Sequence, residues 1–161
     1  MKRLIFVRHG KSSWESPVED KERELKKRAY EDADHVISTF KAYLDFSPEV
    51  FSSPATRSVT TAKLFKNQLN IEDQHFHVIP QLYTFDSDEV LQFIRNIDDG
   101  LDNVMLFGHN PAYTELVNRL GSLPIENLPT TGLVSIIFEI ESWNQIQKGE
   151  THLYLFPKNL R

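Results

Sequence analysis

Short apolar runs alternate with longer stretches of helical period along the chain. Residues 3–8, RLIFVR, hold a brief continuous apolar run with β-branched and aromatic members, the pattern of a strand buried on both faces. From 20 to 44 the period changes. Leu25, Ala29, Ala33, Val36, Ile37, Phe40 and Leu44 fall on one stripe. Glu22/Lys26 and Glu24/Arg28 are i,i+4 pairs with the acid leading, the better orientation. Together they predict one long helix, with the basic run Lys26–Arg28 on its solvated face. EVFSS then predicts a short strand and PATRSVTTAKLFKNQL a second helix. HFHVI predicts a weak strand, SDEVLQFIRNI a third helix capped by Ser87, and NVMLFG another strand. PAYTELVNRL predicts a fourth helix ending near Gly121. LVSIIFEI and THLYLF predict antiparallel strands joined across a short helical excursion at Trp143.

Strands alternating with helices predict an α/β fold: a three-layer α/β/α arrangement with a mostly parallel central sheet and helices on both faces. A length of 161 residues suits one domain spanning 1–161. Sheets of this kind take ligands at the carboxyl ends of their strands, near a switch in strand order.

Composition narrows the chemistry. The net charge of -5 argues against a general nucleic-acid binder, which shows a basic footprint. With no cysteine there is no disulfide framework, thiolate metal site or cysteine nucleophile. No apolar run reaches membrane-spanning length, and Leu4–Val7 is too short for a signal sequence. A cytoplasmic protein is expected, without a membrane partner.

Three strand ends then agree with one another. Arg8 and His9 close the first strand, and Gly10 follows, where the backbone turns tightly or lies close to a ligand. In VFSSPATR the strand ends at Ser52, Ser53 suits a helix N-cap, Pro54 the first helical position, and Arg57 the first turn. In VMLFGHNP the strand ends at Phe107, Gly108 turns the chain, His109 follows, Asn110 suits the N-cap and Pro111 the first helical position. Arg8, His9, Arg57 and His109 are therefore expected to converge. Two guanidiniums grip phosphate oxygens through forked hydrogen bonds. Two imidazoles supply a nucleophile and a second donor. The set predicts an anion site built from side chains, with no metal and no cofactor.

RHGKSSW, SSPATRSVTTA and GHNP together resemble the histidine phosphatase superfamily, also called phosphoglycerate mutase-like, and more narrowly its SixA-type phosphohistidine phosphatases. The resemblance extends through DKERELKKRAYEDA, LPTTGLVSIIFEI and LYLFPKNL. It implies that His9 is the nucleophile that becomes phosphorylated. It implies that Arg8, Arg57 and His109 hold the phosphoryl group. The long insertions that cap larger relatives are missing, so an open site is implied. The chain departs from the family in carrying Glu24 at a position usually taken by proline, and Ala29 where glycine is usual. Glu15 stands where mutases often have asparagine, which argues against mutase activity. Thr84 stands where many relatives place a glutamate acid; Asp86, Asp88 and Glu89 lie near it but match a helix cap and first turn.

The remaining candidates are weaker. Lys11 and Ser12 either donate to phosphate or are simply solvated in their loop, and Asn110 is a further candidate for substrate binding. Trp14 lines the pocket mouth or packs its loop. Thr130 and Thr131, just before a strand, either touch the site or, the favoured reading, serve a turn. His75 and His77 share one strand face but lack an evident third metal ligand, so a surface role is expected. The sequence thus predicts a metal-independent phosphohydrolase acting on a phosphorylated substrate, foremost a phosphohistidine-bearing protein. The rivals are a broader small-molecule phosphomonoesterase and a non-catalytic phospho-ligand binding module.

Overall fold

The computed structural model describes residues 1–161. The first strand, β1 (Lys2–Arg8), shows why the chain forms three layers. Leu4, Ile5, Phe6 and Val7 are all fully buried. Side chains alternate along a strand, so Leu4 and Phe6 enter one apolar core while Ile5 and Val7 enter the other. Strand β4 (Asn103–Gly108) repeats the division, with Val104 and Leu106 on one side and Met105 and Phe107 on the other.

Helices α1 (Lys27–Phe40) and α2 (Thr56–Gln68) cover the face carrying Ile5. Helices α3 (Ser87–Arg95) and α4 (Ala112–Leu120) cover the face carrying Leu4. The other strands are β2 (Glu49–Ser52), β3 (Phe76–Val78), β5 (Leu133–Phe138) and β6 (Glu150–Leu155). They form one six-stranded sheet in the order β3-β2-β4-β1-β5-β6. β1 to β4 run parallel, while β5 and β6 pair antiparallel, with a register shift at Ser135/Ile136. The expected α/β/α architecture and all six strands are present. No helix is long and apolar enough to cross a membrane.

Register brings three strand ends level. Arg8 lies opposite Gly108, and Ser52 opposite Phe107. The ladder runs one residue further on each side, with His9 N–H bonded to the Gly108 carbonyl and Ser53 N–H to the Phe107 carbonyl. His9, Ser53 and His109 therefore leave neighbouring strands at one height.

Local assignments differ from expectation in four places. The long helix over 20–44 is broken: Asp20–Glu22 is a single 3-10 turn, α1 starts at Lys27, and a 3-10 turn at Lys41–Tyr43 follows it. The backbone of 24–26 is taken by the loop after β1. Ser13 N–H bonds the Glu24 carbonyl, Lys26 N–H bonds the Lys11 carbonyl, and Ser12 bridges Leu25. The Glu22/Lys26 and Glu24/Arg28 pairs thus have no helix to stabilise. The α2 N-cap is Ala55, not Ser53, and Pro54 precedes the helix. Asp86, not Ser87, caps α3, accepting from Asp88 N–H. In α4, Pro111 occupies the N-cap while the Asn110 side chain accepts from Thr114 N–H.

Gly10 has no positive φ. It is required by close approach: a Cβ there would stand 2.8 Å from Ala29 Cβ and 3.2 Å from Leu25 Cδ2. Gly10→Ala is expected to lower unfolding stability by about 1–3 kcal/mol through overpacking. Chemical denaturation checks this, and Ala29→Gly, by making room, should recover part of the loss.

Candidate active site

The pocket at these strand ends has a volume of about 420 Å³ and is lined by Arg8, His9, Lys11, Ser12, Arg23 and Arg57, among others. A larger hollow of about 610 Å³ opens between Ser13 and Arg28, but it holds no imidazole and mixes Glu15, Glu22 and Glu24 with Lys26 and Arg28. The convergent chemistry belongs to the smaller one.

His9 is 8% exposed. Its Nδ1 lies 2.7 Å from the Gly10 carbonyl, which can only accept, so the ring carries its proton on Nδ1. Nε2 keeps its lone pair and receives Arg57 Nε–H at 3.3 Å. Burial pushes the His9 imidazolium down to about 4; the Gly10 carbonyl opposes this, and the Arg57, Arg8 and Arg23 guanidiniums add to it. His109 lies beside it, with ring centroids 5.2 Å apart. Its Nδ1 faces Arg57 Nη2 at 3.5 Å and its Nε2 bonds Ser53 Oγ at 2.8 Å. An arginine only donates, so Nδ1 holds the lone pair and Nε2–H points to Ser53. Burial, then the nearby His9 and Arg57, lower its pKa to about 3.

Arg57, 2% exposed, ties the site together. Besides His9 and His109 it reaches back to the 3-10 turn, donating Nη1–H to the Asp20 carbonyl at 2.6 Å and Nη2–H to Asp20 Oδ2 at 3.0 Å. Asp20 also accepts from Tyr83 Oη at 2.6 Å and from Arg23 Nε at 3.2 Å. Its partial burial would raise its pKa, but the bonds from Tyr83 and Arg57 hold it at about 2. Arg8 donates to the Leu128 carbonyl at 3.0 Å, and its buried Nε has no partner. Arg23 donates to Ser12 Oγ at 2.6 Å and stacks 3.5 Å above the exposed Trp14 ring.

Arg8, His9, Arg57 and His109 thus meet as expected. Lys11, Ser12, Trp14, Asn110 and Thr130 line the pocket. The Asn110 amide is engaged with Asn127, Leu128 and Thr114. Thr131 adopts φ 60 and gives its N–H to the carbonyls of Arg8 and His9. His75 and His77 each bond a different oxygen of Glu49, at 2.8 and 2.6 Å, on the sheet edge. No group of three or more His, Cys, Asp or Glu side chains is arranged to hold a metal ion. The carboxylates after β3 are engaged away from the pocket: Asp86 caps α3, Asp88 pairs with Arg119, and Glu89 accepts from Thr84.

Asp20, Arg23, Tyr83 and Ser53 were not singled out from sequence for these positions. The one available signal for Arg23 was Glu24, at a place usually given to proline in the resembling family; a helix interior excludes proline.

The sequence model of the histidine phosphatase superfamily (branch 1) matches residues 4–82. Over that stretch, just under half of its length, the chain is similar to that superfamily. Its fold is shared by the protein histidine phosphatase SixA in complex with tungstate, at 21% identity over 99% of both chains and TM-score 0.83. A putative phosphohistidine phosphatase SixA from Agrobacterium tumefaciens aligns at 22% identity over 96% of this chain and 97% of its own, TM-score 0.77. A phosphoserine phosphatase from Entamoeba histolytica aligns at 16% identity over 100% of both chains, TM-score 0.70. No curated protein sequence matches the chain.

Both imidazoles are neutral in the folded chain down to about pH 4 or lower, whereas an unfolded histidine takes its proton near 6.5. Between those values the unfolded chain binds more protons, so stability rises with pH across that window. Urea midpoints measured from pH 4 to 7 are expected to climb. His109→Gln should flatten the climb; an unchanged slope would contradict the assignment.

Proposed function

We propose that the chain is a phosphatase working through a phosphohistidine at His9, with phosphohistidine on a protein as its preferred substrate. The observation that carries this is the His9 ring. Its tautomer is fixed by the Gly10 carbonyl, its imidazole is neutral, and its Nε2 lone pair lies among buried guanidiniums. Nε2 attacks phosphorus and the leaving group departs with its electron pair; water then cleaves the phosphohistidine. Arg8 and Arg57 stabilise the charge on the equatorial oxygens, the part metal ions play in many phosphoryl-transfer sites. The phosphoryl dianion favours a proton on His109 Nδ1, which then donates to it.

Substrate preference follows from the carboxylates. An alkoxide leaving group needs a proton donor. Asp86, Asp88 and Glu89 are engaged elsewhere, and Asp20, the carboxylate that lines the pocket, is ionised with its pKa at about 2. A phosphohistidine leaving group protonates on its own second nitrogen near neutrality and leaves uncharged. The open pocket, rimmed by exposed Trp14 and Phe85, admits a side chain displayed on a protein surface. The fold shared with a SixA protein histidine phosphatase supports the same choice.

The fold is equally compatible with a broader phosphomonoesterase, as the Entamoeba phosphoserine phosphatase shows for its own chain. Comparing kcat/KM on a phosphohistidine peptide, an aryl phosphate and a phosphoserine peptide separates the two. Activity is expected to fall in that order, and equal turnover of phosphoserine would overturn the preference.

A labelled phosphoryl donor should leave an acid-labile phosphohistidine on the enzyme. His9→Ala should lose both label and turnover, and retained turnover would overturn the mechanism. Activity should also survive exhaustive chelation; loss on chelation with recovery on adding a divalent cation would refute the charge assignment to Arg8 and Arg57.

A further inference from the structure

The guanidinium central to the proposed phosphoryl seat is already holding an anion. All three Arg57 nitrogens are engaged: Nε with His9, Nη1 with the Asp20 carbonyl, and Nη2 with the Asp20 carboxylate. Carboxylate and phosphoryl oxygens suit the same guanidinium fork. The two anions also repel one another across it, so they cannot share it freely.

Of the partners of Arg57, Asp20 is the one built to give way. His9 and His109 are buried at strand ends. Asp20 sits on a 3-10 turn with no buried residue, and its side chain is 41% exposed. When Arg57 Nη2 turns away, Tyr83 Oη and Arg23 Nε still hold the carboxylate nearby.

The rest of the pocket explains what such a partner achieves. Arg8, Lys11, Arg23, Lys26 and Arg57 line it, and Asp20 is the carboxylate among them. A pocket so cationic would retain inorganic phosphate after each turnover. We propose that Asp20 is a positioning residue that competes for Arg57. It cedes the guanidinium to the phosphoryl group on binding and reclaims it to expel inorganic phosphate. This rests on the phosphatase reading of the site.

The test is calorimetric titration of inorganic phosphate into the wild type, Asp20→Asn and Asp20→Ala, with phosphate inhibition and phosphoenzyme trapping measured on each. Both substitutions should tighten phosphate binding about tenfold, as expected from losing one charge-assisted competitor. KM should fall with the inhibition constant while the phosphoenzyme still forms. A residue that merely supported Arg57 would move phosphate affinity the other way. Unchanged or weaker phosphate binding in both variants, in a wild type that binds phosphate and forms the phosphoenzyme, overturns the role of Asp20 alone. A wild type that neither binds phosphate nor forms a phosphoenzyme overturns the phosphatase reading itself, and this role with it.

Discussion

The buried guanidinium of Arg57 is the constraint to which the rest of the pocket answers. A permanent charge that is 2% exposed must be surrounded by acceptors. The chain supplies the His9 Nε2 and His109 Nδ1 lone pairs and two oxygens of Asp20. Each supplier is fixed in turn from behind. The Gly10 carbonyl sets the His9 tautomer, Ser53 sets that of His109, and Tyr83 and Arg23 anchor Asp20. One charge thereby adds to burial in keeping two imidazoles neutral and ties the turn at Asp20 to the pocket.

The same arrangement explains why two histidines can lie with ring centroids 5.2 Å apart without repulsion. Both are neutral, and each turns a lone pair toward Arg57. The positive field that adds to burial in keeping protons off His9 is the field that, in the proposed reaction, would receive a phosphoryl group. On that reading the guanidiniums contribute both to the neutral state of His9 and to anion binding.

Most of the frame was legible in the sequence because it rests on local patterns. The apolar run of β1, the turn residues after β2 and β4, and the placing of Arg8, His9, Arg57 and His109 at strand ends all follow from short stretches. The four side chains meet because parallel register brings those ends level. What was not legible depends on contacts distant in sequence. The stripe from Leu25 to Leu44 suits a helix throughout, but the backbone of 24–26 bonds to the loop at 11–13, so α1 begins only at Lys27. Once that segment is no longer helical, Asp20 and Arg23 enter the pocket. Ser53 fits an N-cap by type, yet its hydroxyl serves His109, 56 residues away.

The Glu49 clasp has a consequence for how the chain behaves among its own copies. A sheet's outer strand offers unpaired backbone groups on which another strand can assemble. Here that outer strand is β3, only three residues long. Its His77 is stacked on Phe51 and bonded with His75 to a single carboxylate of the neighbouring strand. At the opposite rim, β6 follows the register shift in its pairing with β5, which increases local twist. The three-residue β3 and the register-shifted β6 thus give neither rim a long, flat, apolar template for a further strand.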